Sequence, residues 1–394
     1  MGSPGYVQRC PFDRPHYAPE ADSVKPKHGV FCAGMGKLRV GIAGGGINGV
    51  MIAWLAARQG FEVELFERKT LMSATSSASS KLLHGGLRYL EHGHFRLVRE
   101  GLRERAWWLK TAPHLARRLE LVLPFYADSP RPRIAIRAGL VLYDAFAGPR
   151  ALGHHRWLGR PELLRLAPRL KESKLRGGFL FYDGHMDDLA LGLWAAEQAR
   201  SAGAAIREKT AVDRVDRGGG ALIHGEWRRF DFFVNATGPW AKQLLDASAI
   251  PTRYELDLVR GSHVILPERM DRGYLLQPAA GSRICFVLPY KNSTLVGTTE
   301  VRQNLGESVT CSDAEAIYLL SVYNRHFRDR RGLDDIQARY AGLRPLVRSH
   351  PDPSKVNREC ALEKQGRLIN VFGGKWTTSR ALAQKACTLM GEGR

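Results

Sequence analysis

Hydrophobic residues recur along this chain in blocks whose period changes, and the changes mark out elements. LRVGIAG (38–44) is an apolar run of strand length. INGVMIAWLAARQG (47–60) carries apolar residues at helical spacing and stops at Gly60, and FEVELFE (61–67) is again strand. Strand, turn, helix and strand in that order predict two parallel strands joined by a crossover. DDLALGLWAAEQARSAG (187–203) predicts a helix with an Asp cap and a Gly stop, AAIREKTAVDRV (204–215) a strand, and RFDFFVNATG (229–238) a strand running into a glycine turn. From about 246 to 310 the pattern alternates with period two, in GSHVILP, RICFVLP and STLVGTT, as antiparallel strands do. SDAEAIYLLSVYNRHF (312–327) predicts a capped amphipathic helix, and RLINVFGG (367–374) a strand whose glycine pair opens the helix KWTTSRALAQKACTLM. The fold class that follows is α/β: a Rossmann-type domain with a parallel sheet, plus a second α+β domain with a mainly antiparallel sheet.

A chain of 394 residues exceeds the usual size of one core. The expected division is a dinucleotide-binding domain from 37–115, 185–245 and 335–394, and a substrate domain from 116–184 and 246–334. Residues 1–36 hold Pro4, Pro11, Pro15, Pro19 and Pro26 without apolar periodicity, which predicts a disordered extension, with Met35 as the natural start.

Charge changes the picture more than composition does. Lys and Arg number 59 against 39 Asp and Glu, a net +20 that favours anionic partners: nucleic acid, an acidic membrane surface or a phosphorylated small molecule. Arginine is spread along the chain, with no basic tail, RNA-binding motif or regularly spaced aromatics, which argues against nucleic acid. The six cysteines are scattered with no C-x-x-C, so neither a disulfide framework nor a metal site is expected. No apolar stretch reaches the roughly 20 residues that span a bilayer, and no secretory leader pattern opens the chain. A cytoplasmic protein is the expectation.

Gly44-Gly45-Gly46-Ile47-Asn48-Gly49 fits G-x-G-x-x-G between a strand and a helix, with Glu67 ending the next strand. Gly44 allows the tight turn, Gly46 lets backbone approach a pyrophosphate, Gly49 permits close helix packing, and Glu67 accepts from ribose hydroxyls. This is a dinucleotide site. A single fingerprint leaves no second unit for a nicotinamide cofactor, and the later turn Asn235-Ala236-Thr237-Gly238 favours FAD. Phe372-Gly373-Gly374-Lys375-Trp376-Thr377-Thr378 is placed to aim a helix N-terminus at the charge that gathers on a reduced flavin.

One stretch resists any element: TSSASSKLLHGGLRYLE (75–91) is too polar for a core strand and too poor in helix formers for a surface helix. With GGGINGV, VNATGPW, RGSHVILP, VGTTE, YAGLRPL and FGGKWTT in order, it makes the chain resemble the FAD-dependent glycerol-3-phosphate dehydrogenases, within the D-amino-acid-oxidase-like flavoproteins. The resemblance implies that Thr75, Ser76, Ser77, Ser80, Lys81, Leu82, His84, Gly85 and Gly86 wrap the cofactor. It adds Val212, Ala236, Thr237, Gly238, Gly342, Gly374, Lys375, Thr377 and Thr378 to that set. It implies oxidation of sn-glycerol 3-phosphate to dihydroxyacetone phosphate, with Arg88, Tyr89, Arg344 and Lys375 binding the substrate. His263, then His84, is the expected base, with Arg344 assisting. Asp187 and Asp188 sit where a helix begins and read as caps.

The same family, on this resemblance, passes electrons to quinone from the cytoplasmic face of the inner membrane. Residues 101–125 and 136–160 mix Trp, Leu and Arg as an anionic membrane surface would want, and equally as amphipathic helices over a core. Long members continue past the GGK-x-TT helix into a further helical domain; this sequence, ending at Arg394, reads as a short form. Arg260 stands where the family often has Lys, and 215–230 reads as a short connection. The electron acceptor and the oligomeric state stay open. So does the substrate among phosphorylated or phosphonylated alcohols and amines or amino acids.

Overall fold

The strand-helix-strand unit forms where its pattern places it, as Arg39–Ala43, Ile47–Arg58 and Glu62–Phe66. These elements belong to a computed structural model that describes residues 37–278, 284–348 and 360–392. The expected extension 1–36, with its start at Met35, lies outside the described residues.

Arg39–Ala43 pairs in parallel with Glu62–Phe66 on one side and Phe232–Asn235 on the other. Ala205–Arg207 continues the sheet in parallel beyond Glu62–Phe66, and Leu368–Phe372 does so beyond Phe232–Asn235, with Ala361–Gln365 antiparallel at the edge. The helix Ile47–Arg58 is apolar on nearly all sides, and it is buried on nearly all sides. It packs between Asp188–Ser201 and Ser379–Gly391 over the sheet residues Val40, Ile42, Val63 and Leu65.

The second sheet is mainly antiparallel. Among the described residues its order is Val301–Arg302, Leu256–Leu266, Ser293–Gly297, Cys285–Tyr290, Gly273–Leu276, Ala116–Tyr126, Leu175–Met186 and Leu82–Leu83. Ala338–Val347 pairs with Leu256–Leu266 along its whole length, so a segment expected, within 335–394, in the dinucleotide-binding domain joins the large sheet. The helix Asp313–His326 covers this sheet, capped by Ser312 and Glu315 as its sequence predicts.

Four further expectations are corrected. Residues 204–215 are two strands in different sheets, because the chain turns at Lys209, whose N–H bonds Lys69 O while Thr210 N–H bonds Glu67 O. The connection 215–230 is a ribbon in which Gly220–Ile223 pairs with both Val212–Val215 and Glu226–Arg229. Residues 101–125 are half strand: the helix Phe95–Thr111 gives way to Ala116–Tyr126, whose Leu119, Leu121 and Leu123 alternate into the core. The last helix begins at Ser379, so Lys375 to Thr378 form a turn ahead of it. Among the described residues no helix is long and apolar enough to cross a membrane.

Candidate active site

A cavity of about 970 Å³ draws its lining from both sheets and both glycine turns. Pockets for single ligands run from roughly 300 to 1,000 Å³, so this one has room for a dinucleotide. Of the residues expected to act in catalysis or to bind substrate or cofactor, all line it except Gly49 and Lys81.

At one end the glycine turn is fixed by close approach. Gly44 has φ +110°, and a Cβ on it would lie 2.4 Å from Ala236 O; a Cβ on Gly49 would lie 1.9 Å from Gly44 O. Gly49 therefore serves the turn from behind. At Gly46 a Cβ would meet Ser76 Oγ alone, at 3.1 Å, so backbone is exposed to the cavity where a pyrophosphate needs it. Both Glu67 oxygens accept backbone amides, from Gly45 at 2.7 Å and Lys69 at 2.8 Å, which fixes the carboxylate at the rim. A carboxylate has about four acceptor sites, so capacity for a ribose hydroxyl remains. These residues fit FAD.

The polar stretch 75–91 is tied down bond by bond. Ser76 Oγ accepts from Ile47 N–H at 3.0 Å, Trp376 Nε1–H donates to Ser76 O at 2.9 Å, and Thr75 Oγ1 donates to Leu343 O at 2.6 Å. His84 N–H donates to Thr377 Oγ1 at 3.3 Å, and Gly85 N–H to Tyr143 Oη at 2.8 Å. Tyr143 is held in turn by Asp183, which pairs with the buried Arg105 at 2.8 Å.

Lys81 turns away from the cavity. Its Nζ donates to Ser77 O at 2.7 Å and to Asp188 at 2.6 Å, inside the protein. Asp188 also accepts from Ser79 N–H at 3.1 Å and Ser79 Oγ at 2.7 Å. The expectation for the aspartate pair is thus half corrected: Asp187 caps its helix through Ala190 N–H, whereas Asp188 is the buried anchor of the loop 77–81.

At the other end His263 is 2 % exposed, with Nε2 2.9 Å from Ser80 Oγ and its ring stacked on Tyr340 at 4.7 Å. Burial, with the positive charges of Arg344 and Lys81 behind it, pushes the imidazole well below the usual histidine range, so the ring is neutral at neutral pH. Gly297 faces it across the sheet, and a Cβ there would come within 2.1 Å of the ring. Arg344 Nη2 donates to Thr298 Oγ1 at 2.8 Å and Thr299 O at 2.9 Å, and Nη1 lies 3.6 Å from Glu300. Lys375 Nζ lies 3.9 Å from the ring centre of Tyr89, a cation–π contact at the cavity wall. Arg88 also lines the cavity.

Sequence reading missed Glu300, Asp183, Tyr143, Arg105 and Glu315. Glu315 is the most instructive, because capping is only part of its work. It accepts from Ser262 Oγ at 2.8 Å, Thr299 Oγ1 at 2.7 Å and Arg260 at 2.9 Å, and so braces the segment that holds Arg344. Burial opposes its ionisation, but the hydrogen bonds from Thr299, Ser262 and Ser312 win and hold it down to about 2. A carboxyl whose folded pKa is depressed stabilises the protein above its ordinary range, and that contribution is lost as pH falls towards 2. Glu315→Gln is expected to cost about 1–2 kcal/mol at pH 7, discounted for residual solvent screening. Urea midpoints of the two proteins should converge as the pH drops below about 4.

The sequence family described as FAD dependent oxidoreductase matches residues 39–389, and the chain belongs to it; FAD is its cofactor. Within that class it is 40% identical to the glycerol-3-phosphate dehydrogenase of Pseudomonas tolaasii, over 88% of this chain and 70% of that protein. It is 38% identical to the aerobic glycerol-3-phosphate dehydrogenase of Escherichia coli (strain K12), over 88% of this chain and 72% of that one. It is also 37% identical to the D-erythritol 1-phosphate dehydrogenase of Brucella abortus, over 87% and 72%. Among solved structures, the glycerol-3-phosphate dehydrogenase of Bacillus halodurans complexed with FAD shares the fold, with a TM-score of 0.72 at 24% identity, covering 91% of this chain and 65% of that one.

Proposed function

We propose that this chain oxidises the secondary alcohol of sn-glycerol 3-phosphate to the ketone of dihydroxyacetone phosphate. The observation that carries the reading is a neutral, buried His263 in one cavity with Arg344 and Lys375, in a chain about 40% identical to glycerol-3-phosphate dehydrogenases. FAD, when bound, supplies the acceptor for the hydride. His263 takes the hydroxyl proton, its ring plane fixed by Ser80 and Tyr340. Arg344 and Lys375, with Arg88 and Tyr89 lining the same cavity, hold the phosphate dianion and aim the carbinol carbon. The parallel sheet carries the cofactor, and the large sheet, through His263 and Arg344, carries the substrate.

A second reading keeps the chemistry and lengthens the alcohol, as the likeness to a D-erythritol 1-phosphate dehydrogenase suggests. Two cations in one cavity suit a phosphate better than the single carboxylate of an amino acid. Steady-state assays with a dye acceptor separate these readings. sn-Glycerol 3-phosphate should show the highest kcat/KM, D-erythritol 1-phosphate less, and glycerol and glycine none. Turnover of glycine alone would overturn the assignment. Arg344→Lys is expected to raise KM for glycerol 3-phosphate about tenfold or more, because a lost bond to a charged group is worth roughly 1.5–3 kcal/mol. The flavin spectrum should not change.

Quinone as acceptor, at an anionic membrane on the cytoplasmic side, belongs to the same proposal. Its support is the helix Arg133–Ala147, whose outer face exposes Ile134, Val141 and Leu142 beside Arg133 and Arg137. Vesicles containing anionic lipid should bind the protein and release it in high salt; no association at low salt would remove the membrane.

A further inference from the structure

Trp376 stands in the cavity wall, and its ring begins a file of indoles that leads out of the site. Ring centres lie 5.1 Å apart from Trp376 to Trp108, 4.8 Å from Trp108 to Trp107, 5.9 Å from Trp107 to Trp54 and 5.6 Å from Trp54 to Trp194. The exposed imidazole of His114 follows at 6.2 Å. Five of the chain's eight tryptophans thus make one line from three helices and a turn. Aromatic rings gain from tilted and edge contacts in any core, which explains pairs. It does not explain why one end of the line meets the cofactor cavity and the other the surface.

Indole is among the side chains most readily oxidised by one electron, and rings in contact let the resulting hole pass from one to the next. One detail favours passage over trapping. Trp108 is fully buried and its Nε1–H has no acceptor, so a radical cation there finds no base to take its proton. The Arg380 guanidinium lies 4.7 Å from the Trp107 ring centre and would repel positive charge. The buried Glu104 offsets that charge through two bonds of 2.9 Å.

We propose that this file carries one-electron oxidising equivalents away from the flavin, sparing His263 in the cavity wall and Tyr340 stacked on it. The inference rests on FAD occupying the cavity. The oxidant is flavin excited by blue light. One electron passes to it from Trp376, Trp108 refills Trp376, and Trp107, Trp54 and Trp194 follow in turn. A thiol in solution then refills Trp194, giving up one electron and one proton, and two such thiols pair as a disulfide. No bond in the protein is made or broken, and one electron enters at the surface for each one used in the cavity. The two electrons of alcohol oxidation do not take this route, because indole is too hard to oxidise to exchange with reduced flavin.

Flash photolysis of the purified, flavin-loaded full chain tests the relay by following tryptophan-radical absorption. The expected result is a long-lived radical whose decay speeds up with added thiol. Trp108→Phe keeps a ring in the core and cuts the file after its first member. It should lose the long-lived radical while the visible spectrum and steady-state turnover stay unchanged. Equal decays in both proteins would reduce the file to packing and overturn the proposal. Thiol dependence is read on the unaltered protein, so its absence overturns the proposal even if the variant does not fold. A protein without flavin bands would sink the cofactor reading and the relay together; flavin bands without a long-lived radical sink the relay alone.

Discussion

His263→Gln is expected to lower kcat for sn-glycerol 3-phosphate by about 10²- to 10⁴-fold, the usual worth of a positioned base. Flavin should stay bound, because the groups nearest the glycine turn, Gly44, Ser76 and Glu67, are untouched. The pH profile gives the sharper test. Burial and the cations Arg344 and Lys81 depress the imidazole well below its ordinary range. A base must be neutral to act, so activity should hold on the acid side down through the usual histidine range and fail only below it. An acidic limb near the unperturbed histidine value of about 6.5 would place the proton acceptor elsewhere. Gly297→Ala tests the same geometry from outside, since its methyl would displace the ring, and it should lower kcat as well.

Asp188→Ala should be the most damaging change outside the substrate end. It leaves the Lys81 ammonium buried without its partner, which costs about 3–5 kcal/mol. It also frees Ser79, so the loop 77–81 loses the acceptor that shapes it along the cavity. Urea denaturation should show the stability loss, and flavin should dissociate more readily from the folded variant. The double change Lys81→Met with Asp188→Leu separates the two effects. Apolar residues of similar volume can replace a buried ion pair at little cost, so stability should largely return. Flavin retention should not, because Ser79 still has no carboxylate to hold it.

What the sequence made legible was local. The glycine turn could be read because its requirements lie within six residues and the adjoining strand: a positive φ at Gly44 and no side chain at Gly49. Both Ser312 and Asp187 could be read as caps for the same reason. The misses are long-range. Nothing near Lys209 announces a turn, because Lys69 and Glu67, which accept from Lys209 N–H and Thr210 N–H, belong to another part of the chain. Asp188 looks like one of two helix-starting aspartates until Lys81, 107 residues away, is seen beside it. Glu315 satisfies a capping box so well that its sequence hides the bonds to Ser262 and Thr299. Lys81 is counted with the cofactor ligands on the resemblance alone, and the structure turns its side chain inward to Ser77 O and Asp188.

Most of the loop 75–91 lines the cavity with the glycine turn and His263, and a single measurement tests the chemistry proposed for it. The purified protein should show the visible bands of bound oxidised flavin, and sn-glycerol 3-phosphate added without oxygen should bleach them, whereas glycerol should not. Bands that persist in the presence of sn-glycerol 3-phosphate, or an absence of bands altogether, would contradict the account.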